Sequence, residues 1–267
     1  MPGAILPVLL ALAALLAGWV YLYQESLIFR PVALPPRYRF AFEGADIQER
    51  FVEVDGARLS ALHLALPDPK GIVFYLHGNA GNLAEWFANA DFYRKTGFDL
   101  FMIDYRGYGK STGRIRSEAQ LHEDVAAAWR SIAPRYLGRR KVFFGRSLGS
   151  ALAARLAVSV PAGERPDLTV LASPYWSMLE LAQRHYPLVP RRLLRYRLET
   201  FRDVGRIEGP VLLLHGDYDA LIPYSHSERL QQVAPEARLV CIHGAAHGDV
   251  QGFPEYVDAV ARGLAQL

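Results

Sequence analysis

One stretch decides the fold of this chain: Val142-Phe143-Phe144-Gly145-Arg146-Ser147-Leu148-Gly149. Three apolar residues, typical of a buried strand, lead into the pattern Gly-x-Ser-x-Gly, and an alanine- and leucine-rich helical pattern follows. A strand, a sharp turn and a helix in this order lift the serine hydroxyl clear of the sheet. Gly145 and Gly149 permit the close approach of strand and helix that the turn requires. The stretch therefore predicts Ser147 as a nucleophile beside a helix N-terminus, which favours developing negative charge.

Short apolar runs and helical patterns alternate on both sides of this stretch. The apolar runs cover residues 72–76, 100–103, 142–144, 169–172, 211–214 and 239–242. The helical patterns cover residues 83–95, 117–132, 148–158, 225–233 and 254–267. This alternation predicts an α/β fold with a mostly parallel central sheet flanked by helices. Before it, residues 51–54 and 58–66 flank Asp55-Gly56, which predicts an antiparallel hairpin.

The partners of the serine are expected at strand ends, because parallel sheets bind ligands at the carboxyl ends of their strands. One apolar run ends in His215-Gly216-Asp217-Tyr218-Asp219, and the next ends in His243-Gly244-Ala245-Ala246-His247. A serine hydroxyl becomes a nucleophile when a base takes its proton, and an acid orients that base. We predict His247 as the base and Asp219 as the acid.

Each of these two roles has a second candidate. Asp217 is an alternative acid, although its position just after Gly216 suits a residue that caps a turn. His243 is an alternative base, but it lies at the strand terminus. His247 follows small residues, in a loop that can reach over the serine.

Acyl transfer also requires hydrogen-bond donors for an oxyanion. The backbone N–H of Leu148, directly after the serine, is one expected donor. The second is expected from the loop that follows residues 72–76, where the sequence reads His77-Gly78-Asn79-Ala80-Gly81-Asn82. Gly78 allows close approach of the backbone, and we predict the N–H of Asn79 as the second donor. For His77 we favour a structural hydrogen bond to this loop.

A metal-dependent hydrolase is the rival chemistry. Its ligand set would be Asp217, Asp219, His243 and His247. That interpretation leaves Ser147 unexplained, and the His-Glu-x-x-His spacing of many zinc hydrolases does not occur. The dinucleotide-binding pattern Gly-x-Gly-x-x-Gly is also absent after a strand, and residues 106–111 lack the first glycine of a P-loop. We therefore expect neither a metal nor a cofactor.

The first 24 residues differ from the rest of the chain. Residues 5–23 contain no charged side chain, and as a helix they would span about 28 Å, close to the thickness of a bilayer's hydrocarbon core. Trp19, Tyr21 and Tyr23 lie at the end of this run, where an aromatic belt is expected. We predict a single-pass transmembrane anchor. A cleaved signal and a core helix remain as alternatives, although no basic residue precedes the run.

Charge gives weak information on location and partners. Arg30, Arg37 and Arg39 follow the apolar run, and the positive-inside rule would place the rest of the chain in the cytoplasm. The net charge is +3, but no nucleic-acid recognition motif accompanies it, so we expect no nucleic-acid partner. The basic excess suits either anionic headgroups or a solvated surface. A single cysteine excludes a disulfide within the chain.

From about residue 51 to its end, the chain resembles the α/β-hydrolase superfamily. The motifs that carry the resemblance are HGNAGN (77–82), DYRGYGKS (104–111), GRSLGS (145–150), SPYWSM (173–178), HGDYDALIP (215–223) and GAAHGD (244–249). The order of apolar segment, LIFRP and HGNAGN is similar to that of membrane-anchored ABHD-type serine hydrolases and their bacterial relatives. The resemblance implies Ser147 as nucleophile, Asp219 as acid, His247 as base, and Asn79 with Leu148 as oxyanion hole.

The sequence thus predicts three parts: an anchor (1–24), a linker (25–46) and a catalytic domain (47–267). Residues 175–206, called the insertion below, interrupt the alternation and contain seven arginines, which suit either a solvated helical face or an amphipathic lid on an anionic membrane. We expect a serine hydrolase that cleaves an ester or thioester of a small-molecule or lipid-like acyl substrate. The alternatives are a peptidase of the same fold and a catalytically silent binding protein.

Overall fold

The computed structural model describes residues 5–42 and 44–267, without the side chains of residues 5–14 and 16. Its strands are β1 (Arg30–Pro31), β2 (Ile47–Val54), β3 (Ala57–Leu64), β4 (Gly71–Leu76), β5 (Ala80–Gly81), β6 (Phe98–Ile103), β7 (Arg140–Arg146), β8 (Leu168–Ala172), β9 (Val211–Gly216) and β10 (Arg238–Ile242). Its α-helices are α1 (Ile5–Ile28), α2 (Leu83–Trp86), α3 (Ala90–Thr96), α4 (Glu118–Ile132), α5 (Leu148–Ser159), α6 (Met178–His185), α7 (Thr200–Val204), α8 (Ser225–Val233) and α9 (Pro254–Ala265).

In the described part of the chain, eight strands form one sheet in the order β10-β9-β8-β7-β4-β6-β3-β2. The β2–β3 and β3–β6 pairs are antiparallel, and the other pairs are parallel. The predicted hairpin is confirmed, because β2 and β3 pair around Asp55-Gly56. The α/β fold with a mostly parallel sheet is therefore as the alternation predicts.

Both faces of the sheet are covered by apolar packing. Side chains alternate along a strand, so consecutive residues of β7 face opposite sides. Phe143 packs with Phe74 and Trp129 on the side of α4, and Phe144 stacks on Tyr75 on the other side. Residues buried on both faces explain why the central strands have continuous apolar sequences rather than alternating ones.

The strand order determines where the chemistry can occur. β7, β9 and β10 are parallel neighbours or near neighbours, so their carboxyl ends lie at one edge of the sheet. Ser147 follows β7, Asp219 follows β9 and His247 follows β10. Residues separated by about 100 positions in the chain are thereby brought to one place.

The predicted transmembrane anchor is not supported. Among the described residues, no helix combines the length and the apolar character needed to cross a bilayer. Part of the prediction, residues 1–4 and the side chains of residues 5–14 and 16, lies outside what the structure describes.

The end of α1 packs against the insertion through polar contacts. Gln24 is only 2% exposed, and its amide donates to the carbonyl of Leu193 (3.1 Å) and accepts from the N–H of Arg195 (2.7 Å). The Glu25 carboxylate accepts from the Tyr196 hydroxyl at 2.9 Å and pairs with Arg195. These contacts place residues 24 and 25 within the folded domain.

The segment predicted as a linker also packs on the domain. Phe29 is buried and meets the Tyr196 ring edge-on, with 5.1 Å between ring centroids. β1 pairs in parallel with β5, and Leu34 N–H donates to the carbonyl of Gly109 (2.7 Å). The segment therefore connects the insertion to the loop that contains Asn79.

We expect Phe29→Ala to reduce the free energy of unfolding of the full chain by about 3 kcal/mol, because it empties a buried aromatic site. Urea unfolding followed by circular dichroism measures this change. Leu27→Ala is the matched control, since Leu27 is 38% exposed and should contribute less than about 1 kcal/mol. Equal, small losses in both variants would show that residues 25–34 are not part of the cooperative unit.

Candidate active site

Ser147 occupies a strained turn between β7 and α5. Its backbone has φ 52° and ψ −115°, a region that residues with a side chain rarely adopt. The N–H of Ser147 donates to the carbonyl of Ala172 on β8 (2.9 Å), so the neighbouring strand holds this conformation. Strain of this kind persists only where the surrounding structure enforces it, and it is concentrated at functional sites.

The predicted glycines are required by close contacts around this turn. A Cβ on Gly149 would lie 1.9 Å from the carbonyl oxygen of Leu76, and one on Gly145 would lie 2.3 Å from the carbonyl of Gly149. Both distances are far inside van der Waals contact, so any other residue would push α5 away from the sheet. Gly78 has more room, because a Cβ at this position would lie 3.1 Å from the Trp86 ring.

Ser147, His247 and Asp219 form a continuous hydrogen-bonded series. The distance from Ser147 Oγ to His247 Nε2 is 3.1 Å, and that from His247 Nδ1 to Asp219 Oδ2 is 2.7 Å. When Nδ1–H donates to the carboxylate, Nε2 carries a lone pair and accepts the serine proton. The arrangement can therefore move a proton from the hydroxyl to the imidazole.

The environment of Asp219 favours its ionised form. Burial would raise the pKa of this carboxyl, but hydrogen bonds from His215, from His247 and from the N–H of Ile222 hold the pKa far below its ordinary value. Since the folded-state pKa is lowered, the ionised carboxylate stabilises the fold at neutral pH. That stabilisation is lost as the pH falls below about 4 and through the folded-state pKa.

The two alternative candidates lie together, away from the serine. His243 is an exposed side chain whose Nδ1 lies 3.0 Å from Asp217 Oδ2, and Gly244 N–H donates to Asp217 Oδ1 (2.7 Å). The hydrogen bond from His243, followed by that from Gly244, lowers the pKa of Asp217. The structure therefore divides the four polar residues of the two strand ends into a pair that reaches Ser147 and a pair that does not.

The loop with the predicted oxyanion donor is held by the N-terminal segment. The Asn79 side chain donates to the carbonyl of Ile28 (3.0 Å), and its own carbonyl accepts from Arg30 N–H (2.8 Å) and the Tyr108 hydroxyl (2.8 Å). Its side chain is therefore engaged, which leaves the backbone N–H as the donor that could face an oxyanion. Leu148, the other predicted donor, is the first residue of α5.

His77, the first residue of this loop, makes structural contacts. It is fully buried, and its Nδ1 donates to the carbonyl of Gly78 (2.7 Å) while its own carbonyl accepts from the Tyr105 hydroxyl (2.9 Å). The contacts match the structural hydrogen bond expected from the sequence.

Two further residues touch the series and were not expected from the sequence. His215, fully buried on β9, donates from Nε2 to the carbonyl of Ile222 (2.7 Å) and lies 3.4 Å from Asp219 Oδ2. Arg146, also buried, donates from Nη2 to the carbonyl of His247. Both stand in the quoted motifs, directly before Gly216 and Ser147, but only the fold shows that they support the acid and the base.

The insertion borders the site on two sides. The Tyr175 hydroxyl lies 3.5 Å from the carbonyl of Leu148, and His185 Nε2 donates to the carbonyl of Leu221 (3.1 Å), two residues after Asp219. Trp176 stacks on Phe201, with ring centroids 4.7 Å apart, and this packing fixes the base of the insertion.

Comparisons with known proteins agree with this architecture. Residues 67–200 match the family described as "Serine aminopeptidase, S33". The chain is 35% identical to the uncharacterized protein Rv2307c of Mycobacterium tuberculosis, over 95% of this chain and 90% of that protein. It is 29% identical to alpha/beta hydrolase domain-containing protein 17B of Xenopus laevis, over 79% and 72% of the two chains.

Among solved structures, the Pyrococcus furiosus esterase Pf2001 superimposes with a TM-score of 0.69 at 21% identity, over 89% of this chain and 98% of that one. Such a likeness concerns the fold. The family match and the 35% identical relative establish that this chain belongs to the α/β-hydrolase superfamily, in the family described as serine aminopeptidase S33, and that it is a hydrolase.

Proposed function

We propose that this chain is a serine hydrolase that cleaves a carboxylic ester or thioester through an acyl-enzyme, with Ser147 as nucleophile, His247 as base and Asp219 as acid. The observation that carries the proposal is the series of hydrogen bonds from Ser147 Oγ through His247 to Asp219. The strained backbone of Ser147 and the buried, ionised Asp219 support it independently.

Each step of the proposed reaction uses a group in this series. Ser147 Oγ attacks the acyl carbon while its proton passes to His247 Nε2, and the resulting oxyanion accepts hydrogen bonds from the N–H groups of Leu148 and Asn79. The leaving alkoxide or thiolate takes the proton from His247 as its bond to carbon breaks. Water then attacks the acyl-serine with the same base, releasing the acid and restoring Ser147.

Asp219 has an orienting role in this proposal. Its negative charge holds the tautomer of His247 in which Nδ1 is protonated, and it stabilises the imidazolium that forms during attack. The N–H groups of Leu221 and Ile222 bind Asp219 Oδ1 at 3.0 and 2.7 Å, so the carboxylate cannot turn away from the histidine.

The surface beside the loop that contains Asp219 is suited to bind an apolar acyl group. Leu221 and Tyr186 are both exposed, and the hydrogen bond from His185 to the Leu221 carbonyl brings the two segments together. Exposed large apolar side chains next to a reactive centre are suited to bind a hydrocarbon chain. The esterase fold of Pf2001 is in keeping with this substrate class.

An aminopeptidase is the second candidate, because the matching family carries that description. An aminopeptidase must bind the ammonium group of a peptide N-terminus, which a carboxylate near the nucleophile would favour. The insertion, which borders the site, instead carries exposed arginines, including Arg184, Arg192 and Arg197. Positive charge repels an ammonium group and attracts neutral or anionic substrates, so we favour the ester.

We expect Ser147→Ala to lower kcat on p-nitrophenyl butyrate by on the order of 10⁴ or more, because loss of a triad nucleophile leaves only binding and the oxyanion donors. Steady-state kinetics against a blank of buffer measures the loss, and circular dichroism confirms that the variant is folded. Ser159→Ala, at the exposed end of the same helix, is the matched control. Activity retained in the first variant would refute the assignment of Ser147.

Substitution of each aspartate by asparagine distinguishes between the two candidates for the acid. Asp219→Asn should reduce kcat by on the order of 10³ to 10⁴, because an amide no longer holds the required tautomer of His247. Asp217→Asn should change kcat less than about threefold, since Asp217 contacts His243 and Gly244 rather than His247. Losses of similar size in the two variants, measured on the same ester, would contradict this distinction.

A further inference from the structure

Three potential metal ligands meet on the surface at the ends of β9 and β10. They are the carboxylate of Asp217, the thiol of Cys241 and the imidazole of His243, and their ligand atoms all lie within 4.8 Å of one another. His243 Nδ1 is 3.6 Å from Cys241 Sγ and 3.0 Å from Asp217 Oδ2. In the part of the chain that the structure describes, this is the one such group of three.

The backbone holds these residues in register. β9 and β10 are parallel partners in which Cys241 lies opposite His215 and Ile242 opposite Gly216. Asp217 continues β9, and its Oδ1 accepts from the N–H of Gly244 (2.7 Å). One carboxylate oxygen is thus fixed by the backbone, and the other, Oδ2, faces the histidine.

The donor types and their spacing suit Zn²⁺. Thiolate, imidazole and carboxylate are the three side-chain ligands that zinc uses, and Mg²⁺ and Ca²⁺ do not select sulfur or nitrogen. Tetrahedral zinc, with Zn–S of about 2.3 Å and Zn–N of about 2.05 Å, places the sulfur and nitrogen about 3.6 Å apart. The observed separation of Sγ and Nδ1 is 3.6 Å, so these two atoms already stand at the required distance.

We propose that Asp217, Cys241 and His243 form a zinc-binding site, with a water molecule as the fourth ligand. On binding, the Cys241 thiol releases its proton to solvent and its sulfur bonds to the metal, while the Nδ1 lone pair of neutral His243 and one oxygen of Asp217 complete the protein ligands. His243 is 83% exposed on its side chain, which leaves an open side for water and for entry of the metal.

This site is separate from the candidate active site but shares its loops. Asp217 precedes Asp219 by two residues, and His243 precedes His247 by four. A metal bonded to both strand ends would connect the two loops that hold the proposed acid and base. The site requires neither Ser147 nor the proposed reaction, so the two proposals can fail separately.

The single cysteine of the chain allows a direct test. The full chain, without a polyhistidine tag, is treated with iodoacetamide with and without equimolar Zn²⁺, and alkylation of Cys241 is followed by intact mass. We expect Zn²⁺ to slow alkylation at least about tenfold, because a metal-bound sulfur is a poorer nucleophile, and excess EDTA to reverse the effect. Mg²⁺ at the same concentration should give no protection.

Substitution of the proposed ligands one at a time tests which residues bind Zn²⁺. His243→Gln and Asp217→Asn should each abolish most of the protection, and both alter exposed residues, so the variants should fold. His122→Gln on α4 is the matched control and should be protected like the unaltered chain, as should Ser147→Ala. Equal alkylation with and without Zn²⁺, or undiminished protection in His243→Gln, would overturn the proposal.

Discussion

The contact between Gly149 and the end of β4 is the constraint on which the rest of the site depends. The carbonyl of Leu76 lies where a Cβ of residue 149 would be, so α5 can begin directly against the sheet only because that atom is missing. This contact forces Ser147 into its strained conformation and brings its hydroxyl to the carboxyl edge of the sheet. There the two loops after β9 and β10 bring Asp219 and His247 within hydrogen-bonding distance of one another and of the serine hydroxyl.

A second layer of contacts holds these loops. Arg146 donates to the carbonyl of His247, and His215 and two backbone N–H groups surround Asp219. Arg146 Nε and Nη1 have no hydrogen-bond partner among the described residues, although the side chain is buried. A buried guanidinium with unsatisfied donors costs stability, and the hydrogen bond from Nη2 links the end of β7 to the loop that holds His247.

The N-terminal segment has a larger structural role than its sequence indicates. Gln24 and Glu25 bind the insertion, and Ile28 and Arg30 bind Asn79 in the loop proposed to hold the oxyanion. The N-terminal segment thus contacts both the insertion and the loop that contains Asn79.

The features that could be predicted from the sequence are those that a local rule decides. The alternation of apolar runs and helices predicted the sheet, and the Gly-x-Ser-x-Gly turn predicted where Ser147 would lie, because strand period and glycine sterics act over a few residues. The roles of His215, Arg146 and the N-terminal segment could not be predicted in this way. Arg146 and Gln24 act through residues about 100 and 170 positions away, and an apolar run such as residues 5–23 gives no sign of what its end will contact. His215 contacts nearby residues, but the orientation of its side chain is set by the fold.

In the proposed reaction, Ser147 is the residue that becomes covalently modified. The most direct measurement is reaction of the full chain with a fluorophosphonate, followed by proteolysis and peptide mass spectrometry to locate the adduct. We expect one adduct per chain, on Ser147, because its hydroxyl has a hydrogen-bonded base at 3.1 Å and the proposed oxyanion donors beside it. An ester-hydrolysing chain that forms no adduct, or that carries the adduct on a different side chain, would contradict the assignment of Ser147 as the nucleophile.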